Sequence, residues 1–199
     1  MSFKAFGIRF DFSVPFAVML AFLLVTDSTG LMSASLFAVA IHEIGHLVAM
    51  WLTKCLPTAI KCGLGGILIS GNSYCTNKQS LLIAASGPLM NLIFTAVILG
   101  LGLVFDSYIL CVFSAVQFLV GSVNLLPIEG LDGGDIFKNI LFSTNIKNVG
   151  FWCSFVSIVT ACVIFVLGIA IAVKNVSNPS LLLLGIYLII ENIIILGWR

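Results

Sequence analysis

The sequence carries very little charge for its length. Only 9% of its 199 residues are charged, whereas 60% are hydrophobic and the mean hydropathy is +1.21. Soluble domains carry about 25% charged residues, and disordered chains are polar and rich in charge. The composition therefore excludes both classes. It indicates an integral membrane protein whose surface largely faces the lipid bilayer.

Two further shortages exclude other classes. The net charge is only +1, so nothing predicts nucleic acid as a partner. The cysteines form no C-x-x-C pair, which argues against a zinc-thiolate site. We predict free thiols that act as small hydrophobic residues. The six cysteines are Cys55, Cys62, Cys75, Cys111, Cys153 and Cys162.

Long apolar stretches predict an all-α polytopic membrane protein with about six transmembrane helices. Most approach the roughly 20 residues that a helix needs to cross the hydrocarbon. The first has only 15 uncharged residues between Asp11 and Asp27, and we interpret it as an uncleaved span rather than a secretory signal. The predicted spans are residues 11–27, 31–53, 79–105, 107–126, 148–173 and 179–198.

The basic residues predict the orientation in the membrane. With six spans and a cytoplasmic N-terminus, eight of the nine lysines and arginines face the cytoplasm, and only Lys174 lies opposite. This bias fits the positive-inside rule and predicts that both termini are cytoplasmic. The compact layout predicts a multi-pass protein of a bacterial cell membrane. It also predicts one membrane-embedded domain, residues 1–199, with its core at 30–140 and C-terminal helices at 148–199.

Two connections differ from ordinary loops. Residues 56–77 combine glycines with β-branched residues and predict a short, membrane-associated, β-hairpin-like segment. Non-helical backbone at membrane depth is tolerated only where protein or a water-filled cavity satisfies it. Residues 124–134 contain Pro127 and three glycines, which predict a break after the fourth span.

The only two histidines of the chain lie four residues apart, in His42-Glu43-Ile44-Gly45-His46. Residues i and i+4 share one face of a helix, so both imidazoles can reach one tetrahedral Zn²⁺. Glu43 is rotated by about 100° from His42 and can reach water on the metal. The alternative is a pair of histidines that hydrogen-bond neighbouring helices. Ionisable groups within an apolar span are costly, which favours a functional site.

A catalytic zinc usually has three protein ligands. No third histidine exists, so the remaining ligand is expected to be a carboxylate. Asp132 is followed by Gly133 and Gly134, which we interpret as letting the backbone turn the carboxylate inward. The other acids stay candidates at this point. The full set is Asp11, Asp27, Asp106, Glu129, Asp132, Asp135 and Glu191.

Three segments together resemble the site-2 protease family of intramembrane zinc metalloproteases. They are His42-Glu43-Ile44-Gly45-His46, Ala85-Ser86-Gly87-Pro88-Leu89-Met90-Asn91 and Asn124-Leu125-Leu126-Pro127-Ile128-Glu129-Gly130-Leu131-Asp132-Gly133. The family pairs H-E-x-x-H in one span with N-x-x-P-x(4)-D-G in a later one. The six-span layout is most similar to the stage IV sporulation protease branch. Glu129-Gly130 departs from relatives that are often proline-rich here.

The resemblance implies a role for each matching residue. His42, His46 and Asp132 would bind zinc, and Glu43 would be the general base. Asn124 would help to position the unwound substrate backbone. The local alternative for Asn124 is a capping or turn residue before Pro127.

The implied function is that of a zinc metalloendopeptidase. It would cleave membrane-embedded or membrane-associated regulatory proteins, in regulated intramembrane proteolysis, and regulatory membrane partners are compatible with it. One alternative is a catalytically inactive metal-binding scaffold or pseudoprotease. A metal transporter is a third class, but no internal repeat is visible, and the ionisable groups cluster in one place.

Overall fold

The structure is a computed structural model, and it describes residues 2–5, 8–63, 66–70, 75–144, 146–174 and 179–197. Within these residues the apolar runs form seven helices. The chain divides into two units, Met1–Gly121 and Ser122–Arg199. Each unit is treated by itself below. The helices are α1 (Val14–Thr26), α2 (Leu31–Leu52), α3 (Asn77–Val104), α4 (Tyr108–Asn124), α5 (Asp132–Ser143), α6 (Val149–Lys174) and α7 (Ser180–Gly197).

Three of the described helices are long and apolar enough to cross a membrane. They are α2, α3 and residues Val149–Val173 of α6. Helix α4 and residues Ser180–Ile194 of α7 are shorter apolar helices. Helix α1 has 13 residues, or about 20 Å at 1.5 Å per residue, against a hydrocarbon thickness of about 30 Å. The chain is a mostly helical membrane protein, and the count of six spans stays a prediction.

A four-stranded sheet accompanies the helices of the first unit. Its strands are β1 (Ser2–Ala5), β2 (Ile8–Phe12), β3 (Ala59–Gly63) and β4 (Gly66–Ser70), in the order β1-β2-β3-β4. The β1/β2 and β3/β4 pairs are antiparallel, and β2 runs parallel to β3. The predicted hairpin-like segment, residues 56–77, thus contains two strands of a larger sheet. Its association with the membrane stays a prediction.

The predicted start of the first span is wrong. Asp11 lies in β2, opposite Lys61 of β3, and the helix begins only at Val14. The sequence gives no local signal for this pairing, because the partner strand lies about 50 residues further along the chain.

The prediction that all cysteines are free thiols is also wrong. Cys55 and Cys75 form a disulfide with a Cα–Cα distance of 5.9 Å. Cys55 follows the end of α2, and Cys75 precedes the start of α3. The bond forms because those two helix ends lie together, which spacing in the sequence cannot show. In the described part of the chain, Cys111, Cys153 and Cys162 form no disulfide.

Hydrogen bonds also hold these two helix ends together. Thr76 caps α3 in a capping box with Gln79, whose side-chain oxygen accepts from the Thr76 backbone N–H at 2.8 Å. The Gln79 amide nitrogen then donates to the backbone carbonyl of Thr53, the C-cap residue of α2, at 3.1 Å. The start of α3 is therefore fixed against the end of α2.

Small residues let α2 and α3 pack closely. A Cβ placed on Gly45 would lie 2.7 Å from the backbone oxygen of Ser86 and 2.8 Å from Cγ of Met90. On α3, Asn91 is fully buried and donates to the carbonyl of Ala38 on α2 at 3.3 Å. Membrane helices commonly pack through such small residues and interhelical hydrogen bonds.

The second unit has its own core. Ile128, Ala161 and Leu188 are at most 1% exposed and pack together. Helices α6 and α7 approach closely at two glycines. A Cβ on Gly168 would lie 2.7 Å from Cα of Leu182, and one on Gly185 would lie 2.7 Å from Cα of Phe165. The turn before α5 is anchored in this core through Ile128.

We predict an acid-dependent loss of stability that involves Asp27. Its carboxylate accepts from the hydroxyl of Thr29 at 2.8 Å and from the backbone N–H of Met32 at 2.8 Å, in the first turn of α2. The Thr29 hydroxyl, together with nearby backbone N–H groups, lowers the pKa of Asp27 below its ordinary value of 3.8. The unfolded chain then binds the proton more tightly, so this stabilisation is present above that ordinary value and is lost as pH falls through the folded pKa.

Thermal unfolding of the purified protein between about pH 6 and pH 3 tests this linkage. The Asp27→Asn variant is expected to have a lower Tm at neutral pH and a weaker dependence of Tm on pH. Equal pH slopes for the native protein and Asp27→Asn would contradict it.

A second prediction concerns Gln117 of α4. It is fully buried, and neither amide atom has a hydrogen-bond partner in the described part of the chain. Leaving a buried polar group unsatisfied costs about 1–3 kcal/mol. The Gln117→Met variant, which has a similar volume, should therefore be more stable to unfolding in detergent by about that amount. Gln117→Ala is the control and should be destabilised, because it leaves a cavity. Lower stability of Gln117→Met would show that the amide has a polar partner.

Candidate metal site

Helix α2 places the two histidines on its buried face. His42 is 5% exposed and His46 is 8% exposed, and the same face carries Ala38, Gly45 and Ala49. Glu43 is half-buried on the neighbouring face. The helix begins where Asp27 accepts from its first-turn N–H groups, and its apolar residues continue it to Leu52. The predicted sharing of one face by the two imidazoles is therefore present.

The two imidazoles are arranged as a pair of nitrogen ligands would be. Their Nε2 atoms are 3.1 Å apart, and the rings lie nearly perpendicular, at 81°. Two ligands at about 2.0–2.1 Å from one tetrahedral zinc lie roughly 3.3 Å apart. The observed separation fits a shared metal ion.

A carbonyl from α3 orients the second imidazole. Nδ1 of His46 lies 2.8 Å from the backbone oxygen of Ile83, to which it can only donate. In a neutral imidazole Nδ1 then carries the proton, and the lone pair is on Nε2, the atom that faces His42. Such a hydrogen bond to the far nitrogen is typical of histidines that bind metals. The sequence could not reveal this contact, because any residue type supplies a carbonyl.

Gly87 of α3 packs directly against both imidazoles. A Cβ on it would lie 2.6 Å from Cε1 of His46 and 2.9 Å from Cε1 of His42, closer than real Cβ contacts. Only glycine fits at position 87, where the backbone of α3 meets the two imidazole rings. Gly87 belongs to the Ala85–Asn91 segment that resembles the family motif. The motif alone does not show which side chains Gly87 contacts.

The second unit holds Asp132 at the start of α5. Asp132 is the first residue of that helix and is half-buried, and Asp135 of the same turn is exposed. Carboxylates are stabilised there by the positive end of the helix dipole.

The expected role of the glycines after Asp132 is wrong. Gly133 and Gly134 are helical residues without positive φ, so they do not turn the backbone. They are needed because the chain packs against them: a Cβ on Gly134 would lie 2.7 Å from the carbonyl carbon of Ile128. The residue of this turn with positive φ is Gly130, at 97°.

Asn124 is the last residue of α4 and is half-buried. The chain then turns through Pro127, with the backbone N–H of Leu131 donating to the carbonyl of Ile128 at 3.0 Å. Both its substrate-positioning role and its local turn role stay predictions.

The other acids lie in varied settings. Asp27 caps α2, Asp11 is in β2, and Asp106 follows the end of α3 with a φ of 47°. The carboxylate of Glu129 accepts from the hydroxyl of Ser154 at 3.1 Å. Glu191 lies within α7.

The structure thus defines a membrane protein with a buried pair of histidines, in the H-E-x-x-H arrangement, on a long apolar helix. It has the fold of the solved site-2 protease from Methanocaldococcus jannaschii, with a TM-score of 0.63, 20% identity, and 96% and 94% of the two chains covered. It is also 28% identical, over 155 residues, to a zinc metalloprotease of Methanocaldococcus jannaschii.

These comparisons confirm the resemblance to the site-2 protease family that the motifs predict. The sequence match covers 70% of this chain but only 44% of the length of the curated relative. No family model matches the chain.

The contact at Gly87 generates a prediction. In Gly87→Ala, the new Cβ displaces the imidazoles, so zinc affinity should fall about tenfold or more, the size of effect seen when groups that support metal ligands are changed. The matched control is Gly100→Ala in the same helix, where a Cβ meets nothing within 4 Å.

Competition with a chromogenic chelator measures the zinc affinity of both variants. Gly100→Ala should keep native affinity and gain about 0.5–1 kcal/mol of stability from helix propensity. Native zinc affinity in a folded Gly87→Ala variant would show that the glycine does not limit the histidine pair.

Proposed function

We propose that this chain is an intramembrane zinc endopeptidase. The observation that carries the proposal is the buried histidine pair, with Nε2 atoms 3.1 Å apart in an apolar helix long enough to span a membrane. Burying two imidazoles and a glutamate in such a helix is costly unless they serve a function. The names of the two similar proteins, a zinc metalloprotease and a site-2 protease, support the same activity.

His42, His46 and Asp132 are the proposed zinc ligands. Two imidazoles and one carboxylate are a donor set that catalytic zinc uses, with one coordination position left for water or substrate. Among the acids, Asp132 matches the position of the third ligand in the family motif. When bound, zinc polarises the scissile carbonyl and lowers the pKa of water toward about 7.

The remaining residues handle protons and orientation. Glu43 takes a proton from the attacking water and delivers it to the leaving nitrogen. The Ile83 carbonyl holds a proton on Nδ1 of His46, so Nε2 would be the nitrogen that binds the metal. Hydrolysis then proceeds without any covalent bond between the chain and its substrate.

The proposed substrates are membrane-embedded or membrane-associated regulatory proteins. A helical substrate hides its scissile carbonyl in a hydrogen bond to the N–H four residues later, so cleavage requires local unwinding. We assign Asn124 to hold the unwound backbone, because an amide side chain both donates to and accepts from peptide groups. We further propose a multi-pass arrangement in a bacterial cell membrane with both termini cytoplasmic, from the distribution of basic residues.

Zinc content and peptide hydrolysis together test this function. Elemental analysis of protein dialysed against trace zinc should give about one zinc per native chain. Asp132→Ala should lose most of it, and the matched control Asp135→Ala, in the same helical turn, should keep it. Glu43→Gln should retain zinc but hydrolyse dye-labelled unfolded casein at least about 10²-fold more slowly than native protein.

The result also separates the protease from the metal-binding scaffold. A scaffold would hold zinc in native and Glu43→Gln protein alike and hydrolyse the casein in neither. Absence of zinc from well-folded native protein would contradict both the protease and the metal-binding scaffold.

A further inference from the structure

Two hydrogen bonds of Glu129 join the turn before Asp132 to α6. The backbone N–H of Glu129 donates to Oγ of Ser157 at 2.9 Å. Its carboxylate accepts from the hydroxyl of Ser154, one helical turn earlier, at 3.1 Å. Both the main chain and the side chain of Glu129 are thus held by neighbouring serines.

The hydrogen bonds continue into α7. Ser157 is fully buried, and its hydroxyl donates to Oδ1 of Asn192, which is 3% exposed. The Asn192 amide nitrogen then donates to the carbonyl of Leu188 at 2.8 Å. Each hydrogen bond has a fixed direction, because Ser157 accepts from Glu129 and has only one proton to give to Asn192.

Very little chain separates this anchor from Asp132. Only Gly130 and Leu131 intervene, and the turn is closed by the hydrogen bond from the Leu131 N–H to the Ile128 carbonyl at 3.0 Å. Ile128 itself is fully buried in the core with Ala161 and Leu188. Gly134 packs on the Ile128 carbonyl, so the first turn of α5 cannot shift without moving the anchored turn.

We propose that Ser157 and Asn192 are positioning residues that set the place of the Asp132 carboxylate and thereby the zinc affinity. The proposal rests on the function proposed above, in which Asp132 is the third ligand. The Ser157–Asn192 hydrogen bond joins α6 to α7, whereas the two hydrogen bonds of Glu129 contribute nothing to the pairing of these helices. The hydrogen bonds instead connect both helices to the one turn that ends at a proposed metal ligand.

A matched pair of serine variants tests the proposal. Ser157→Ala removes the anchor. Ser114→Ala, in α4, removes a similarly buried serine hydroxyl, which donates to the Thr95 carbonyl at 3.1 Å. Changing groups that orient metal ligands typically costs 10–100-fold in metal affinity. We expect Ser157→Ala to bind zinc about 10–100-fold more weakly, and Ser114→Ala to stay within about twofold of native protein.

Cobalt supplies a readout that general destabilisation does not move. The visible absorption of Co²⁺ bound in place of zinc depends on ligand geometry, so it should change in Ser157→Ala and stay native in Ser114→Ala. Asn192→Leu keeps the Ser157 hydroxyl that accepts from the Glu129 N–H but removes the hydrogen bond between Ser157 and residue 192. A smaller loss of zinc affinity is therefore expected. If Ser157→Ala does not fold, the zinc affinity and the Co²⁺ absorption of Asn192→Leu test the proposal instead.

The outcomes keep this proposal distinct from the proposed function. If Ser157→Ala and Asn192→Leu bind zinc like native protein while Asp132→Ala loses it, the positioning role is wrong and the zinc site stands. Equal losses in Ser157→Ala and Ser114→Ala would also overturn it, in favour of packing alone. If Asp132→Ala keeps its zinc, the proposed ligand set fails first.

Discussion

The first unit depends on how closely the backbones of α2 and α3 approach each other. At Gly45 and Gly87 no side chain fits between them, and this contact brings the Ile83 carbonyl to His46. A larger residue at either glycine separates the helices and removes the carbonyl that fixes the protonation of the imidazole. The same approach brings the two helix ends together, where the disulfide, the capping box and the Gln79 hydrogen bond lie.

The second unit holds its turn by a different means. Apolar side chains fill its core, but apolar contacts tolerate sliding of one helix along another. A hydrogen bond does not, because it specifies one donor and one acceptor at a fixed distance. The buried hydrogen bonds that join Asn192, Ser157 and Glu129 therefore fix the register of α7, α6 and the turn before α5.

The sequence predicted what depends on local periodicity and missed what depends on distant partners. The apolar runs at residues 31–53 and 148–173 correspond to α2 and α6 within one or two residues, and the spacing of His42 and His46 correctly placed both on one face. The pairing of β2 with β3 was missed because β3 lies about 50 residues further along the chain. Helix α5 was missed because two glycines and two acids in its first turn suggested a loop, although those glycines serve packing.

The disulfide and the basic residues favour different compartments for the same helix ends. Lys54 and Lys78 flank Cys55 and Cys75, and the positive-inside rule assigns them to the cytoplasm. Disulfides persist mainly in oxidising compartments. In either setting, the hydrogen bond from the Gln79 amide to the Thr53 carbonyl joins the ends of α2 and α3 through groups that no reductant affects. Reduction would remove one link between the ends of α2 and α3. The contact of Gly87 with the histidine pair lies more than two helical turns further into α3 and is held by its own packing.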